Sequence, residues 1–377
     1  MKILKNITVF TMVMLLSVST VLEAREKNIS NFSSSASNLV DSTGTFDGNK
    51  IYADVANNGL FLDYHVSGDS ALEWPKGTGV HSIFQSALWM GATVNGSIRT
   101  IVGDYTQDMG PGPWGGDPLA AVHRIYKVEK SMLASPLDFA DFQEWPVEFG
   151  APWVDVDGDG VYTPLPGGTD HPEFLGDQVL WFVSNDGDPA YKLNFGTSPM
   201  NVEIQTTMFG FDRPDVFGDM VFLKQLVINK GSDDLVDTYM GLWSDPDLGY
   251  AGDDFVGCDV ALGMGYVWND GDDSQYSTLD IGTPAAGYDF FQGPMVPCED
   301  GDSEEVCPTE GAKMFGTRHP GMKNLKMSSF AFYINGDATY TDPSDETEGY
   351  FYLQGLRKDG SAYPAEIAGD LYDQRFC

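Results

Sequence analysis

A mainly β fold, a sandwich or a related all-β architecture with long Asp-, Gly- and Pro-rich loops, is what this 377-residue sequence predicts. Two observations carry the prediction. The 43 Gly and 21 Pro punctuate the chain too often for long helices. Between them run short apolar or alternating segments of strand length, bounded by turn dipeptides such as Asn57-Asn58-Gly59 and Asn95-Gly96. Hydrophobic residues at 42% and aromatic residues at 13% are enough to bury a core.

The first elements follow from these signals. From Ile51 onwards the chain is β-like. His81 to Gly103 reads as a long hairpin turning at Asn95-Gly96, a dipeptide whose tight turn matches the twist of the flanking strands. A helix over Ile83 to Met90 is the alternative. Residues 108–118 and 150–178 read as loops. Further strands are expected at Gln178–Ser184, Asn201–Phe211, Asp219–Asn229, Val236–Trp243, Cys258–Trp268 and Leu325–Ile334, with Tyr350–Leu356 as the last. Four segments result: a signal peptide over 1–24, a flexible mature N-terminus over 25–48, a β-rich domain over 49–190, and an acidic β-rich domain over 191–377, for which truncation is an open reading.

The N-terminus reads as an export signal. Lys2 and Lys5 precede an apolar run from Ile7 to Leu22, and Ala24 suits cleavage. The run is shorter than the roughly 20 residues a membrane span needs. No later segment reads as a span, and no cysteine lies near the cleavage point for lipid attachment. The expected location is therefore secreted or at the extracellular cell surface.

Removal of residues 1–24 leaves 19 basic and 55 acidic residues. Nucleic acid and anionic membranes would repel such a chain, whereas divalent cations would relieve its self-repulsion. An acidic surface adapted to salt is the plain alternative. Of the four cysteines, Cys298 and Cys307 bracket the acidic loop CEDGDSEEVC and are the expected disulfide. Cys258 is either a buried thiol or the partner of Cys377. No CxxC occurs, which leaves zinc ribbons and thioredoxin-type redox sites without a signal.

The sharpest motif is Asp155-Val156-Asp157-Gly158-Asp159-Gly160-Val161-Tyr162. Carboxylates at positions 1, 3 and 5, Gly at 6 and the carbonyl of Val161 at 7 form the core of a calcium loop. Oxygen-only ligation favours Ca2+ over zinc or copper. Position 12 is Pro166 rather than Glu, so an EF-hand is excluded, and Asp170, Glu173 or Asp177 has to complete the shell. The competing reading is a solvated acidic turn.

A second concentration runs from Gly231 to Ala312, 82 residues without Lys, Arg or His and with 19 Asp or Glu. Within it Asp245, Asp247, Asp253 and Asp254 lie between two apolar runs and are candidate ligands of another cation. Backbone amides or distant basic residues are the alternative partners, since unpaired buried carboxylates are costly. Asn185-Asp186-Gly187-Asp188 and Asn269-Asp270-Gly271-Asp272-Asp273 read as hairpin turns.

The case for an enzyme is thin. GxSxG and HExxH are absent, and the five histidines are scattered. Glu144 and Glu148 flank Trp145, an arrangement compatible with a sugar cleft, although core packing explains the tryptophan equally well. Trp114 is a candidate contact for a glycan or a partner.

Three groups of segments carry a resemblance: WPKGTGVHSIFQSALWMGATVNG; WVDVDGDGVY with GDQVLWFVSNDGD; and DTYMGLWSDPDLGYAGDDFVGCDVALGMGYVWNDGDD with AAGYDFFQGP. Across most of residues 50–300 the chain resembles uncharacterised exported proteins of the Bacteroidetes, Ignavibacteria and Marinimicrobia. The resemblance implies a secreted or cell-surface protein. Many such proteins carry a C-terminal secretion and sorting domain, which this sequence does not display. No catalytic residue can be carried over. The expectation is a calcium-stabilised structural or adhesion protein whose partners are further copies of itself, other cell-surface proteins or a glycan. The alternatives are a carbohydrate-binding module or polysaccharide-degrading enzyme, and a scaffold within a larger secreted enzyme.

Overall fold

The computed structural model describes residues 43–259, 261–334 and 336–364. The signal segment over 1–24 and Cys377 lie outside them. Strands β1 (Thr43–Phe46), β2 (Tyr52–Ala56), β3 (Leu72–Glu73) and β4 (His81–Ile83) pair in that order as an antiparallel sheet. The first strand thus occupies part of the stretch expected to be loose. The hairpin of β5 (Gln85–Val94) and β6 (Ser97–Ile101) follows, with Val94 opposite Ser97. Its turn residues Asn95 and Gly96 both have positive φ, 51° and 80°, as the Asn-Gly signal requires. The helical alternative for Ile83–Met90 is excluded.

Next come β7 (Gly110–Pro111), β8 (Tyr126–Glu129), the single-turn helix α1 (Ala140–Gln143), and β9 (Trp153–Val154) with β10 (His171–Pro172). The long strands β11 (Gln178–Asn185), β12 (Val202–Gly210) and β13 (Phe222–Asn229) form the second main sheet, with β7 and β8 also on β11. β14 (Val236–Asp245) returns to the other edge of β5. Pairings therefore run across residue 190: β11 joins β12, and β5 joins β14.

β15 (Asp254–Asp259), β16 (Met264–Asn269) and β17 (Ala286–Asp289) make a third sheet. The strand expected over Cys258–Trp268 is instead a hairpin, turned at Gly263 with φ 68°. β18 (Met295–Pro297), β19 (Ala312–Met314), β20 (Thr317–His319) and β21 (Met322–Asn324) form two small ribbons. Leu325–Ile334 is not a strand, and the last element is not a strand but helix α2 (Glu346–Leu353). Asp345 caps it, accepting the amide hydrogens of Thr347 and Glu348.

The architecture is mainly β and sandwich-like, with antiparallel sheets packed face to face. β11 explains the packing. Leu180 and Phe182 face Phe46, Ala53, Val55 and Ile83 of the first sheet. Val179, Trp181 and Val183 point the other way, onto Phe142 and Trp145. Ile204 and Val202 of β12 meet Leu88, Met90 and Val94 of β5. The opposite face of β5 carries Ala87 and Trp89, covered with Trp243 by Tyr340 and Tyr352. Both long central strands are thus buried on two sides, which is why their sequences are almost continuously apolar.

Candidate metal centre

β9 and β10 close the base of the aspartate loop, with Val154 opposite His171. Inside it each acid folds the chain back on itself. Asp155 accepts the Gly158 amide hydrogen on Oδ1 at 2.7 Å and that of Gly160 on Oδ2 at 2.9 Å. Asp157 accepts from the Asp159 amide at 3.2 Å, and Asp159 from the Val161 amide at 2.8 Å. Gly158 and Gly160 have φ of 79° and 76°, a backbone region in which an L side chain is strained.

Asp170 enters from the far end of the loop and is buried at 2% exposure. Its Oδ1 accepts the Val156 amide and its Oδ2 the Thr163 amide, at 2.9 and 2.8 Å. One oxygen from each of Asp155, Asp157, Asp159 and Asp170 lies within 4.8 Å of the others. The amide of Asp159 lowers the Asp157 carboxyl, but desolvation and the charges of Asp159, Asp170 and Asp155 outweigh it and hold it above the ordinary range. The donor set is all oxygen and strongly anionic, the chemistry a hard divalent cation takes.

The remaining predicted ligands are placed differently. The Val161 carbonyl accepts from Thr163 Oγ1 at 3.3 Å. Asp177 is not brought to the cluster; its carboxylate accepts the Asp212 amide at 2.9 Å, where β11 begins. Glu173 donates its backbone amide to Pro152. Among the described residues, only the 155–170 group brings three or more potential ligands together.

Asp245, Asp247, Asp253 and Asp254 therefore do not converge as that group does. Asp245 accepts from Tyr105 Oη at 3.0 Å. Asp253 and Asp254 both accept from Asn269 Nδ2, at 2.8 and 3.2 Å, and Asp254 also takes the Leu248 amide at 3.0 Å. Asp247 stands near Asp254, where its charge adds to the burial that raises the Asp254 carboxyl to about 7. A tyrosine hydroxyl, an asparagine and one amide thus serve Asp245, Asp253 and Asp254, and distant bases serve others in the same stretch: Lys323 pairs with Asp302 and Arg318 with Glu310.

The two expected hairpin turns hold buried acids instead. Asp273 is fully buried and accepts the amides of Tyr250, Gln275 and Tyr276, each at 2.8 Å. Asp186 is likewise fully buried and accepts those of Met200 and Val202, each at 2.7 Å. Cys298 and Cys307 form the expected disulfide, with Cα atoms 5.9 Å apart. Cys258 is buried and is not a free thiol.

Trp145 packs in the core and donates its indole N–H to the Pro152 carbonyl at 3.0 Å. Trp114 is 43% exposed, and its indole N–H donates to Asn201 Oδ1 at 3.1 Å. No protein-family model matches this chain, and no curated protein or solved structure matches it significantly.

Proposed function

We propose that this chain is a secreted structural or cell-surface protein stabilised by calcium, with Asp155, Asp157, Asp159 and Asp170 as the principal cation ligands. The observation that carries the reading is the meeting of these four carboxylates at the neck of one loop. Calcium there would tie the tip of the loop to its base. A ligand that binds only the folded state stabilises it in proportion to the logarithm of its concentration over its dissociation constant. Export is supported by the N-terminal Lys2, Lys5 and apolar run, by the resemblance to exported proteins, and by a disulfide suited to an oxidising compartment. Among the described residues, no helix is long and apolar enough to cross a membrane.

The test is thermal unfolding of the mature protein with calcium and after exhaustive chelation, at matched ionic strength, with bound metal counted. A calcium-specific rise in midpoint with whole-number stoichiometry supports the reading. No shift and no bound metal overturns it.

A second reading, glycan binding, is favoured by one observation. Glu144, Glu148, Tyr126 and Tyr162 line a groove of about 440 Å³ beside Trp145. Retention of the protein on a glycan array, lost on Glu148→Ala, would support it. Glu144 is already paired with Arg124 at 2.9 Å, which argues against a freely acting carboxylate there.

A further inference from the structure

Lys192 is 1% exposed in its side chain, and its two acidic neighbours, Asp108 and Asp186, are 2% and 0% exposed. Lys192 Nζ stands 2.9 Å from Asp108 Oδ2 and 4.0 Å from Asp186 Oδ2. It also donates to the Thr100 carbonyl at 2.5 Å. Lys323 and Asp302, another close lysine–acid pair, remain 12% and 16% exposed in their side chains. Met109 follows Asp108, Ile101 follows Thr100, and Met200 and Val202 hold Asp186 through their amides; all four belong to one buried apolar cluster.

We propose that Lys192 and Asp108 are a self-modification site, at which Nζ and Cγ join in an intramolecular amide bond with Asp186 as the proton carrier.

The surroundings supply what the condensation needs. In an apolar core, transfer of the ammonium proton to Asp108, where it comes to rest on Oδ1, replaces two buried charges by an amine and a carboxylic acid, which are cheaper to bury. The Nζ lone pair then attacks Cγ. Negative charge develops on Oδ2, which already accepts the Val102 amide hydrogen at 2.9 Å, so a donor is in place for it. Oδ1 is buried and has no hydrogen-bond partner; it is the oxygen that departs.

Asp186 is fixed by the Met200 and Val202 amides. Desolvation holds its carboxyl above the ordinary range against the pull of Lys192 and those two amides, and the charge of Asp108 adds to the rise. In its protonated form it gives its proton to the departing oxygen and takes one from the nitrogen, so it ends as it began. One N–C bond forms, one C–O bond breaks and one water leaves; no oxidant or cofactor is consumed. Holding amine and acid in contact, away from bulk water, removes the entropic barrier to condensation.

The bond would join the loop between β6 and β7 to the connection between β11 and β12. It would lock positions 84 residues apart, beyond what the disulfide at Cys298–Cys307 achieves.

The test is the mass of the full chain, reduced, alkylated and denatured, against the mass its determined N-terminus demands. The expected result is a deficit of one water. A tryptic digest should then contain a branched peptide joining the segments of Asp108 and Lys192, with no cleavage after Lys192. Asp186→Asn, verified as folded by a cooperative melt, should retain the full mass. A full-mass wild type cleaved after Lys192 overturns the proposal. So does a deficit mapped to a linear peptide, as cyclisation at Asp157-Gly158 would give. If Asp186→Asn does not fold, the wild-type mass and the branched peptide decide alone.

Discussion

Asp170 reaches back 14 residues along the chain to accept the amide hydrogen of Val156 at 2.9 Å. That contact, with its counterpart at Thr163, makes the loop a closed structure before any cation is considered. Two effects of substitution should therefore separate. Asp170→Ala removes a buried charged acceptor from two amides and should cost about 3 kcal/mol even in chelator. Denaturant unfolding with and without calcium measures the two contributions.

Asp157 is different, because its side chain is open to solvent and touches only the Asp159 amide. Asp157→Asn should leave chelated stability unchanged or slightly raised, since it relieves repulsion from Asp155, Asp159 and Asp170, while weakening calcium binding by on the order of tenfold, through loss of one ligand charge. Calorimetric titration reads this directly, and an unaltered titration would remove Asp157 from the ligand set.

The calcium-free protein should be more stable at about pH 5 than at about pH 8. Asp104 lies buried in the loop after β6, where desolvation raises its carboxyl from 3.8 to about 7. Asn194 and the amides of Tyr105 and Thr106 pull it down, while the charge of Asp342 pushes it up. The folded value exceeds the unfolded one, so the folded state keeps a proton that the unfolded chain has released. That contribution is complete below the unfolded value near 3.8 and is lost as pH rises to about 7. Asp342 is raised as well, again by burial first. Asp104→Asn should flatten the slope, read from denaturation midpoints across this range in chelator.

Breaking the Cys298–Cys307 bridge should cost about 2–3 kcal/mol in the chain-entropy view, since the closed loop is short. A Cys298→Ser, Cys307→Ser double variant tests the magnitude. Peptide mapping of the unreduced wild type tests the pairing.

Gly91 of β5 lies under helix α2. A Cβ there would stand 2.6 Å from Tyr350 Cδ2 and 3.0 Å from Leu353 Cδ1. Gly91→Ala should lift the helix from the sheet and cost about 1–3 kcal/mol, as overpacking does. Faster hydrogen exchange confined to residues 346–353 and their neighbours on β5 would be the signature.

What was legible in the sequence was local. The β5–β6 hairpin follows from Asn95-Gly96, and β11 to β14 from runs whose alternation or apolarity needs no distant information. Helix α2 was hidden because Tyr350, Phe351 and Tyr352 look like strand residues. Its cap at Asp345 and its seat over Gly91 become visible only together. The break in Cys258–Trp268 was masked by the apolarity of its turn, and Phe332 and Tyr333 pack into the core without pairing as a strand.

The candidate site divides in the same way. Asp155, Asp157 and Asp159 announce themselves by spacing, whereas Asp170 stood level with Glu173 and Asp177 until the closure of β9 on β10 separated them. The partners of the acids around Asp254, Asn269 and the Leu248 amide, were not legible in the sequence because folding brings them in.

β5 pairs with β6 beside it in the chain, and with β14, whose last residue is Asp245. A chain delivered N-terminus first, by a ribosome or through a secretion channel, presents β5 long before β14 emerges. Throughout that interval one edge of β5 lacks its partner, and Leu88 and Trp89 lack the cover that Leu242 and Trp243 later provide. Such an edge invites mispairing with other chains. Productive folding of the sandwich is therefore tied to delivery of residue 245, and a channel or holding factor that delays collapse until then would raise the yield of native protein.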